Sequence, residues 1–393
     1  MAKQLFDVVG SGQSRFSVNK DLSPYDMPPT FFNDGVNVRF LDGKAGKISG
    51  HSQVLGTPSA APYWAISWLQ GSTDLWIYGG LTGLFKIAGT THSTVTRSSG
   101  AYTTLAGTTN NWQGGVLGGV LVCTNGLDVP QSFVQTGSLF TDLSDWPSTL
   151  RCKTIVPFRN HLVALNLTDN GTAKPFTIRW SDAIPAGAST NGADTWNTAS
   201  TASESAETSL TGTKGHVLNA LQLGNELIVY KEDSVYALNY VGGSFTFNVR
   251  EKFKDTGLFS RDAVIDLGDG RHVMMATNDV LIHNGNSLKS VTALIWNYRD
   301  NTWSTRDLPN LNFAVKGLVN PDQTNTWGAS AGVWEATTLA WAQQEYNPAI
   351  DSLLMCGTSD TKFYLADSGT TFDGTNFLTT LERRGLHAGR TDA

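Results

Sequence analysis

The strongest constraint on the fold is a short pattern that recurs along the chain. An apolar stretch with β-strand alternation is followed by a turn of Gly, Asn or Asp, and then by a second, aromatic-bearing stretch. The pattern returns about every 45 to 60 residues, the period of propeller blades built from four short antiparallel strands. A single blade cannot bury both of its faces, whereas a ring of blades can. The sequence therefore predicts an all-β, β-propeller-like platform.

Seven copies of the pattern are predicted. They lie near residues 65–87, 114–126, 154–180, 217–238, 263–283, 293–309 and 352–366. The sixth copy is the clearest hairpin, because Leu294, Trp296 and Tyr298 alternate before a polar turn and Trp303 resumes the alternation after it. Pro309 then ends the second strand, since proline has no donor for the ladder.

The composition agrees with many short strands joined by polar turns. Charged residues make up only 16% of the chain, against roughly 25% in typical globular proteins, and there are 40 glycines. The net charge of −6 argues against a reader of duplex DNA, which needs a basic face. It remains compatible with a surface past which DNA slides.

Cysteine usage and hydropathy exclude several other classes. Cys123, Cys152 and Cys356 are far apart and lack C-x-x-C spacing, which argues against a disulfide framework and against a zinc site. No segment approaches the roughly 18 uninterrupted apolar residues of a membrane-spanning helix. We therefore expect no transmembrane helix, no metal and no cofactor.

Three regions are predicted. Residues 1–60 form an N-terminal arm that finishes in a hairpin, where Val36, Val38 and Phe40 alternate with polar residues and residues 47–50 form the partner strand. Residues 61–370 form the propeller-like platform. The platform carries long loops at 181–213 and 320–347, and residues 371–393 are expected to begin a distal β region that is incomplete.

A search for catalytic patterns finds none. The seven histidines show no ligand spacing and are expected on turns and strand surfaces. Asp266 and Asp269 are expected to belong to a hairpin turn rather than a cation loop. The stretch Asn191 to Trp196 faintly resembles the Asp-box turn of sialidases, without the arginine cluster that such enzymes need. The prediction is that the chain is not an enzyme.

Aromatic residues give one alternative. The chain has 12 tryptophans, which in a propeller mostly pack between blades but can also stack on sugars. A carbohydrate-binding (receptor-binding) propeller is therefore the second hypothesis. A glycosidase is a third, which needs two carboxylates about 5 to 9.5 Å apart in one cleft.

Four stretches, in the same order over most of residues 20–310, resemble one known family. They are Asn37–Phe40 with the following Gly43–Lys47, Arg179-Trp180-Ser181-Asp182, Tyr240 to Phe245, and Trp296 to Pro309. Together they are similar to the tail nozzle proteins of short-tailed bacteriophages, also called tail tubular protein B or packaged-DNA stabilisation proteins. The sequence has fewer residues than that pattern at 287–292, and it stops where relatives continue into a β-rich tip.

The resemblance implies a virion structural protein without catalytic residues. It implies a homo-hexameric ring at the distal end of the tail, assembled in the host cytoplasm. That ring lines and closes the DNA ejection channel, docks onto a tail adaptor ring, and can contact tail fibres or spikes and the host outer surface. Genomic DNA would pass transiently, without sequence-specific binding.

Six residues are the predicted structural or interface positions. Asn37 and Arg39 are expected to fix the hairpin of the arm. Trp303 and Arg306 are expected to brace the sixth blade, with Arg306 paired to a carboxylate or to carbonyl groups. Trp180 and Trp296 complete the set as aromatic residues of the resembling motifs.

Overall fold

The computed structural model describes most of the chain between residues 31 and 318 and shorter parts outside it. The described residues are 17–18, 23, 31–41, 44–70, 73–105, 112–243, 245–277, 279–290, 295–297, 302–304, 311–318, 352–358, 362–366, 370–371, 374–376 and 379–382. All regular secondary structure in these ranges is β-strand. The all-β prediction is confirmed.

Six short strands come first in the chain. They are β1 (Ser17–Val18), β2 (Phe31–Phe32), β3 (Asp34–Val36), β4 (Val38–Leu41), β5 (Lys44–Lys47) and β6 (His51–Gln53). The β4–β5 pair is the predicted hairpin of the arm, with Val38 opposite Lys47. Its second strand begins at Lys44 rather than at Lys47, so the turn is shorter than the sequence suggested.

Five four-stranded antiparallel sheets follow, each made of four consecutive strands. Sheet one contains β7 (Trp64–Gln70), β8 (Thr73–Gly79), β9 (Leu84–Ala88) and β10 (Thr91–Thr94). Sheet two contains β11 (Gln113–Leu117), β12 (Val120–Thr124), β13 (Gln131–Val134) and β14 (Thr141–Asp142). Sheet three contains β15 (Leu150–Phe158), β16 (His161–Asp169), β17 (Thr172–Trp180) and β18 (Ala206–Ser209). Sheet four contains β19 (Val217–Leu223), β20 (Glu226–Lys231), β21 (Val235–Tyr240) and β22 (Phe247–Phe253). Sheet five contains β23 (Val264–Asp266), β24 (His272–Met275), β25 (Val280–His283) and β26 (Leu288–Ser290).

The sixth sheet combines three strands from the C-terminal part of the chain with one strand from the N-terminal part. The remaining strands are β27 (Ile295–Asn297), β28 (Thr302–Ser304), β29 (Leu311–Leu318), β30 (Ser352–Thr358), β31 (Phe363–Ala366) and β32 (Thr380–Glu382). Sheet six has the order β29-β30-β31-β6, so an N-terminal strand forms its edge. Ser52 lies opposite Leu365, and the Val54 N–H donates to the Phe363 carbonyl at 3.2 Å.

Strand β20 shows why the sheets stack. Its side chains alternate between two faces, and both faces are apolar. Leu227 and Val229 point into the core shared with sheet three, whereas Ile228 and Tyr230 point into the core shared with sheet five. The preceding hairpin turn is closed by Gly224 at φ +59°, a backbone conformation that glycine adopts at little cost. Both faces of sheet four are therefore buried by its neighbours.

The same arrangement continues around the molecule. Pairs of residues from consecutive sheets share each core: Ile77 and Leu121 (sheets one and two), Val122 and Ala164 (two and three), Leu165 and Val229 (three and four), Tyr230 and Met274 (four and five), and Tyr78 and Phe363 (one and six). The first strands of successive sheets contact one another from β7 to β23, and β29 contacts β7. These contacts make the fold a propeller-like platform.

The hairpin near residue 300 forms but has a different place in the fold. Trp296 lies opposite Trp303, so the predicted pairing of two antiparallel strands is confirmed in the described residues. The prediction that this hairpin is the sixth blade is wrong. In the described residues β27 and β28 make a two-stranded sheet, and β28 lies against β4 and β1. The sixth four-stranded sheet consists instead of β29, β30, β31 and the N-terminal strand β6.

The outer segments also connect differently from the predicted regions. Strand β6 lies within residues 1–60, yet it belongs to the platform. Strand β32, in the segment predicted as a distal region, pairs with β3. The predicted surface loop 181–213 contains β18 and buries Trp196, whose ring meets Trp146 edge-on at 4.6 Å between centroids. The loop 320–347 lies outside the described residues.

Gly79 makes a specific test of the core between sheets one and two. A Cβ at this position would lie 2.4 Å from the Trp112 ring, and Trp112 is fully buried with its Nε1–H donating to the Gly80 carbonyl. We expect Gly79→Ala to lower the free energy of unfolding by about 1 to 3 kcal/mol, because the ring cannot move without breaking its packing. Urea denaturation followed by tryptophan fluorescence measures the change.

The control is Gly46→Ala, since nothing lies within 4 Å of a Cβ built there. An unchanged midpoint for Gly79→Ala, or equal losses in both variants, would contradict this packing.

Candidate functional site

The predicted residues of the arm have clear positions. Asn37 is buried and adopts a left-handed backbone conformation with φ +57°, and its carbonyl accepts the Ile48 N–H at 3.1 Å. Asparagine tolerates this conformation better than most residues. Arg39 is exposed on β4, opposite Gly46. Asn37 thus shapes the turn between β3 and β4, while Arg39 faces solvent beside the hairpin.

The remaining predicted positions fall into two places. Trp296 and Trp303 are cross-strand neighbours on β27 and β28. Because β28 lies against β4, the structure brings the Trp303 strand and the Arg39 strand together, although the two are far apart in sequence. Arg306 lies outside the described residues, so its predicted pairing stays a prediction.

Trp180 belongs to a second group of contacts, between sheets three and four. Its Nε1–H donates to the Glu204 carbonyl at 2.9 Å, and its ring meets Phe247 edge-on at 5.4 Å. The Thr246 hydroxyl donates to the same Glu204 carbonyl at 3.0 Å. The loop residue Glu204 therefore ties the Trp180 motif to the hairpin that carries the motif Tyr240 to Phe245.

The tip of that hairpin exposes apolar side chains. Phe245 is 79% exposed, Val241 is 55% exposed and Tyr240 is 41% exposed. Beside Tyr240 lies His161, at 5.9 Å between ring centroids. An exposed apolar tip next to a tightly held loop is typical of a contact surface for another protein.

The prediction that the histidines lie on turns and strand surfaces is wrong for four of them. His51, His161, His272 and His283 are buried. His161 Nδ1 donates to the Ser181 carbonyl at 2.8 Å, which leaves its Nε2 3.3 Å from a Glu204 carboxylate oxygen. The His161 ring thus lies between the Ser181 carbonyl and the Glu204 side chain.

His272 and His283 form a buried cluster with Tyr230. The Tyr230 hydroxyl lies 2.7 Å from His272 Nδ1 and 2.8 Å from His283 Nε2. The two histidines are opposite each other on β24 and β25, at equal distances from their turn. Their pairing was therefore available from the sequence by counting from the turn, whereas the contact with Tyr230 of sheet four depends on how the sheets stack.

Lys231 is a second buried polar group that the sequence did not single out. Its Nζ donates to the carbonyls of Leu210 and Thr213 at 2.8 and 2.7 Å and to the Thr213 hydroxyl at 2.8 Å. The three ammonium hydrogens are thus satisfied without a direct carboxylate partner. Burial lowers the pKa of Lys231, against the opposing effect of nearby carboxylates. The side chain fastens the end of the long loop to sheet four.

Asp128 similarly fastens the segment that follows sheet one to sheet two. Its carboxylate accepts bonds from Arg97 Nη2 and Asn125 Nδ2, each at 2.9 Å, and from the Thr103 N–H at 2.8 Å. Burial alone would raise the pKa of Asp128, but these hydrogen bonds outweigh it and lower the pKa. A carboxyl group held ionised in this way is unsuited to act as the general acid of a glycosidase.

The other chemically interesting groups also have structural partners. Asp266 accepts the Gly268 N–H at 2.8 Å and Asp269 pairs with Arg271, as expected of a hairpin turn. Cys123 and Cys152 are buried, and burial raises the pKa of both thiols, that of Cys152 to about 12. Over the part of the chain that the structure describes, no three His, Cys, Asp or Glu side chains are grouped to hold a metal ion. Those same residues include no helix long and apolar enough to span a membrane.

The axis of the platform is bridged by side chains of the first strands. Gln113 Nε2 donates to Asn219 Oδ1 at 3.3 Å, and Asn219 Nδ2 donates to the Arg261 carbonyl at 2.8 Å. The Gln113 amide oxygen accepts the Ile155 N–H at 3.0 Å. First strands of sheets two and four are thus one hydrogen bond apart, which leaves no room for a DNA duplex at this level.

Comparisons with known proteins find distant structural similarities. No protein-family model and no curated protein matches the sequence. The extracellular domain of BT4673 from B. thetaiotaomicron superposes with a TM-score of 0.35 and 12% identity, over 81% of this chain and 40% of that domain. The BBS1N structure solved in complex with ARL6DN gives a TM-score of 0.34 and 8% identity, over 78% of this chain and 77% of that one. This chain spans two fifths of the BT4673 domain, and similarities this low carry no functional information.

Lys231 provides a test of the buried polar contacts. We expect Lys231→Met to lower the free energy of unfolding by about 1 to 3 kcal/mol, because it leaves the Leu210 and Thr213 carbonyls buried without their donor. Removing the cost of a buried charge offsets part of this loss. Chemical denaturation measures the difference.

The matched control is Lys214→Met, at an exposed lysine next to Thr213, whose carbonyl Lys231 binds. A Lys231→Met variant as stable as the wild type would show that the buried ammonium contributes nothing net.

Proposed function

We propose that this chain is a non-catalytic structural protein of a virion, a subunit of the tail nozzle of a short-tailed bacteriophage. One observation carries the proposal. The four sequence motifs that resemble this family fold into two joint units. Strand β28 of the last motif lies against β4 of the first, and the Glu204 carbonyl links Trp180 of the second to Thr246 beside the third.

The polar groups that a catalytic site would need are occupied in ways that support a structural role. Asp128 is held ionised by hydrogen bonds, Lys231 has three acceptors of its own, and Tyr230 separates two buried histidines. Cys123 and Cys152 are buried thiols with raised pKa values. Buried and satisfied polar groups fix a conformation rather than bind a substrate.

In this proposal DNA passes through the central opening of a ring of six subunits and not along the axis of a single platform. The bridge from Gln113 to Asn219 supports this choice, because it occupies the axis. The net charge of −6 also suits a channel wall, since like charges let DNA pass without sticking. The tail adaptor ring, fibres or spikes would be the remaining partners.

The exposed hairpin tip is the best candidate for a ring contact. It carries the most exposed large apolar side chain of the described residues, Phe245 at 79%, and it lies within a motif of the resemblance. Burying one such aromatic side chain at an interface can dominate the affinity.

The carbohydrate-binding alternative loses much of its motivation. Among the tryptophans with described side chains, Trp64 is half-buried, and the others are buried: Trp68, Trp76, Trp112, Trp146, Trp180 and Trp196. Stacking on a sugar needs an exposed ring face. A glycan array tests what remains of this alternative.

The assembly state of the purified protein tests the proposed function. We expect negative-stain electron microscopy and native mass spectrometry of the purified chain, alone and with tail adaptor protein, to show six-fold rings. Phe245→Glu should weaken assembly about tenfold or more, whereas Phe259→Glu, at a similarly exposed phenylalanine of another loop, should not.

Monomers alone, even beside the adaptor, would overturn the proposed function. Rings that form equally well in both variants would leave the nozzle proposal intact and would remove the hairpin tip as the contact.

A further inference from the structure

The contact between sheets four and five contains a hydrogen-bonded chain whose donors can be assigned. The Gly285 N–H donates to His283 Nδ1 at 3.2 Å, so this nitrogen carries no hydrogen. Neutral His283 therefore carries its hydrogen on Nε2, which donates to the Tyr230 hydroxyl at 2.8 Å. Tyr230 is then free to donate its own hydrogen onward.

The onward acceptor is His272. His272 Nε2 lies 3.1 Å from the Gln222 carbonyl, which can only accept, so the hydrogen of neutral His272 is on Nε2. His272 Nδ1 is then an acceptor, and the Tyr230 hydroxyl lies 2.7 Å from it. The chain runs in one direction from Gly285 through His283, Tyr230 and His272 to Gln222. Every polar atom in it has a partner while both imidazoles are neutral.

We propose that Tyr230, His272 and His283 form an acid-sensitive latch, which holds sheet five on sheet four only while both histidines are neutral. A proton added at His283 Nδ1 would face the Gly285 N–H, donor against donor. A proton added at His272 Nδ1 would face the Tyr230 hydroxyl and leave the hydroxyl hydrogen without an acceptor. These groups are buried, so water cannot replace the lost bonds without opening the contact between the sheets.

Some charges around the latch favour protonation of the two histidines, and others disfavour it. Asp266 of β23 lies 3.9 Å from His272 Nε2 and favours a proton there, although its carboxylate is half exposed. Lys252 of β22 disfavours a proton on His283, and its own charge is paired with Glu226 of β20 at 2.7 Å. Glu226 also pairs with Arg250, and the Phe253 ring lies edge-on to His283 at 5.5 Å.

Burial outweighs the attraction of Asp266. Desolvation is the main cause that lowers the pKa of both histidines, and the His272 and Lys252 charges add to it at His283, whose pKa falls to about 4. A histidine in the unfolded chain titrates near the ordinary value of about 6.5. The stabilisation by the latch is therefore complete above about pH 6.5 and is lost as the pH falls towards 4.

In the described residues sheet five shares a buried core with sheet four alone. Its face towards sheet four is buried through Met274 and Leu281. On its other face Ile265 is 47% exposed and Met275 is 53% exposed. Loss of the latch would therefore release sheet five while sheets one to four, which share cores on both sides, stay packed.

Hydrogen–deuterium exchange on the full chain tests the latch without any mutation. After correction for intrinsic exchange rates, we expect protection of the β23 to β25 amides to fall on the order of 50-fold to 100-fold between pH 7 and pH 4.5, from a pKa of about 4 in the packed state and about 6.5 in the open state. Protection of the β15 and β16 amides should change much less. Equal changes in both sets of amides, or no change in either, would overturn the proposal.

Glutamine variants isolate the protons as the cause. Glutamine can accept at one end of its amide and donate at the other but does not titrate, so His272→Gln/His283→Gln should keep sheet five protected at pH 4.5. The control His216→Gln, at an exposed histidine, should respond to acid like the wild type. A double variant that stays folded at pH 7 and opens in acid like the wild type would contradict the latch. If the variant does not fold, the wild-type exchange profile still decides.

Discussion

The fold depends on the burial of both faces of each sheet by its neighbours. A four-stranded sheet with apolar side chains on both faces is unstable alone, and strand β20 shows that both sets are used, with Leu227 facing one neighbour and Ile228 the other. Such a stack needs a way to protect its ends. Here β6 completes sheet six, and Phe363 of that sheet packs against Tyr78 of sheet one. The N-terminal segment thereby becomes part of the platform.

Local patterns in the sequence were sufficient for the strands and most turns. Alternation and turn residues placed the β4–β5 and β27–β28 hairpins, but they did not fix the cross-strand partners, such as Trp303 opposite Trp296. The place of the second hairpin could not be found in this way. It lies beside β4, and the strand that completes sheet six, β6, comes from the far end of the chain. Pairing over such a distance leaves no periodic signal.

The candidate site was predicted less well than the fold, for a related reason. Histidine usually lies at least partly in solvent, and no ligand spacing marked His272 or His283 as special. Their burial is explained by Tyr230, which reaches them from the neighbouring sheet and satisfies a nitrogen of each. Lys231 similarly depends on carbonyls of a loop that the sequence presented as irregular. These polar groups sit where sheets or loops meet, and they favour one arrangement of the stack over others. A rigid platform with fixed surfaces is what the proposed role in a ring assembly requires.

The central claim is that β6 completes sheet six, and an engineered disulfide tests it most directly. In a Cys356→Ser background, cysteines at Ser52 and Leu365 would lie opposite each other on β6 and β31, within the Cα separation of paired strands that a disulfide can bridge. Cysteines at Ser52 and Tyr364 would be shifted by one residue and point to opposite faces. The account predicts that mild oxidation links the first pair in the folded chain and not the second, as seen by peptide mass analysis. No link in the first pair, or preferential linkage of the second, would contradict the placement of β6 at the edge of sheet six.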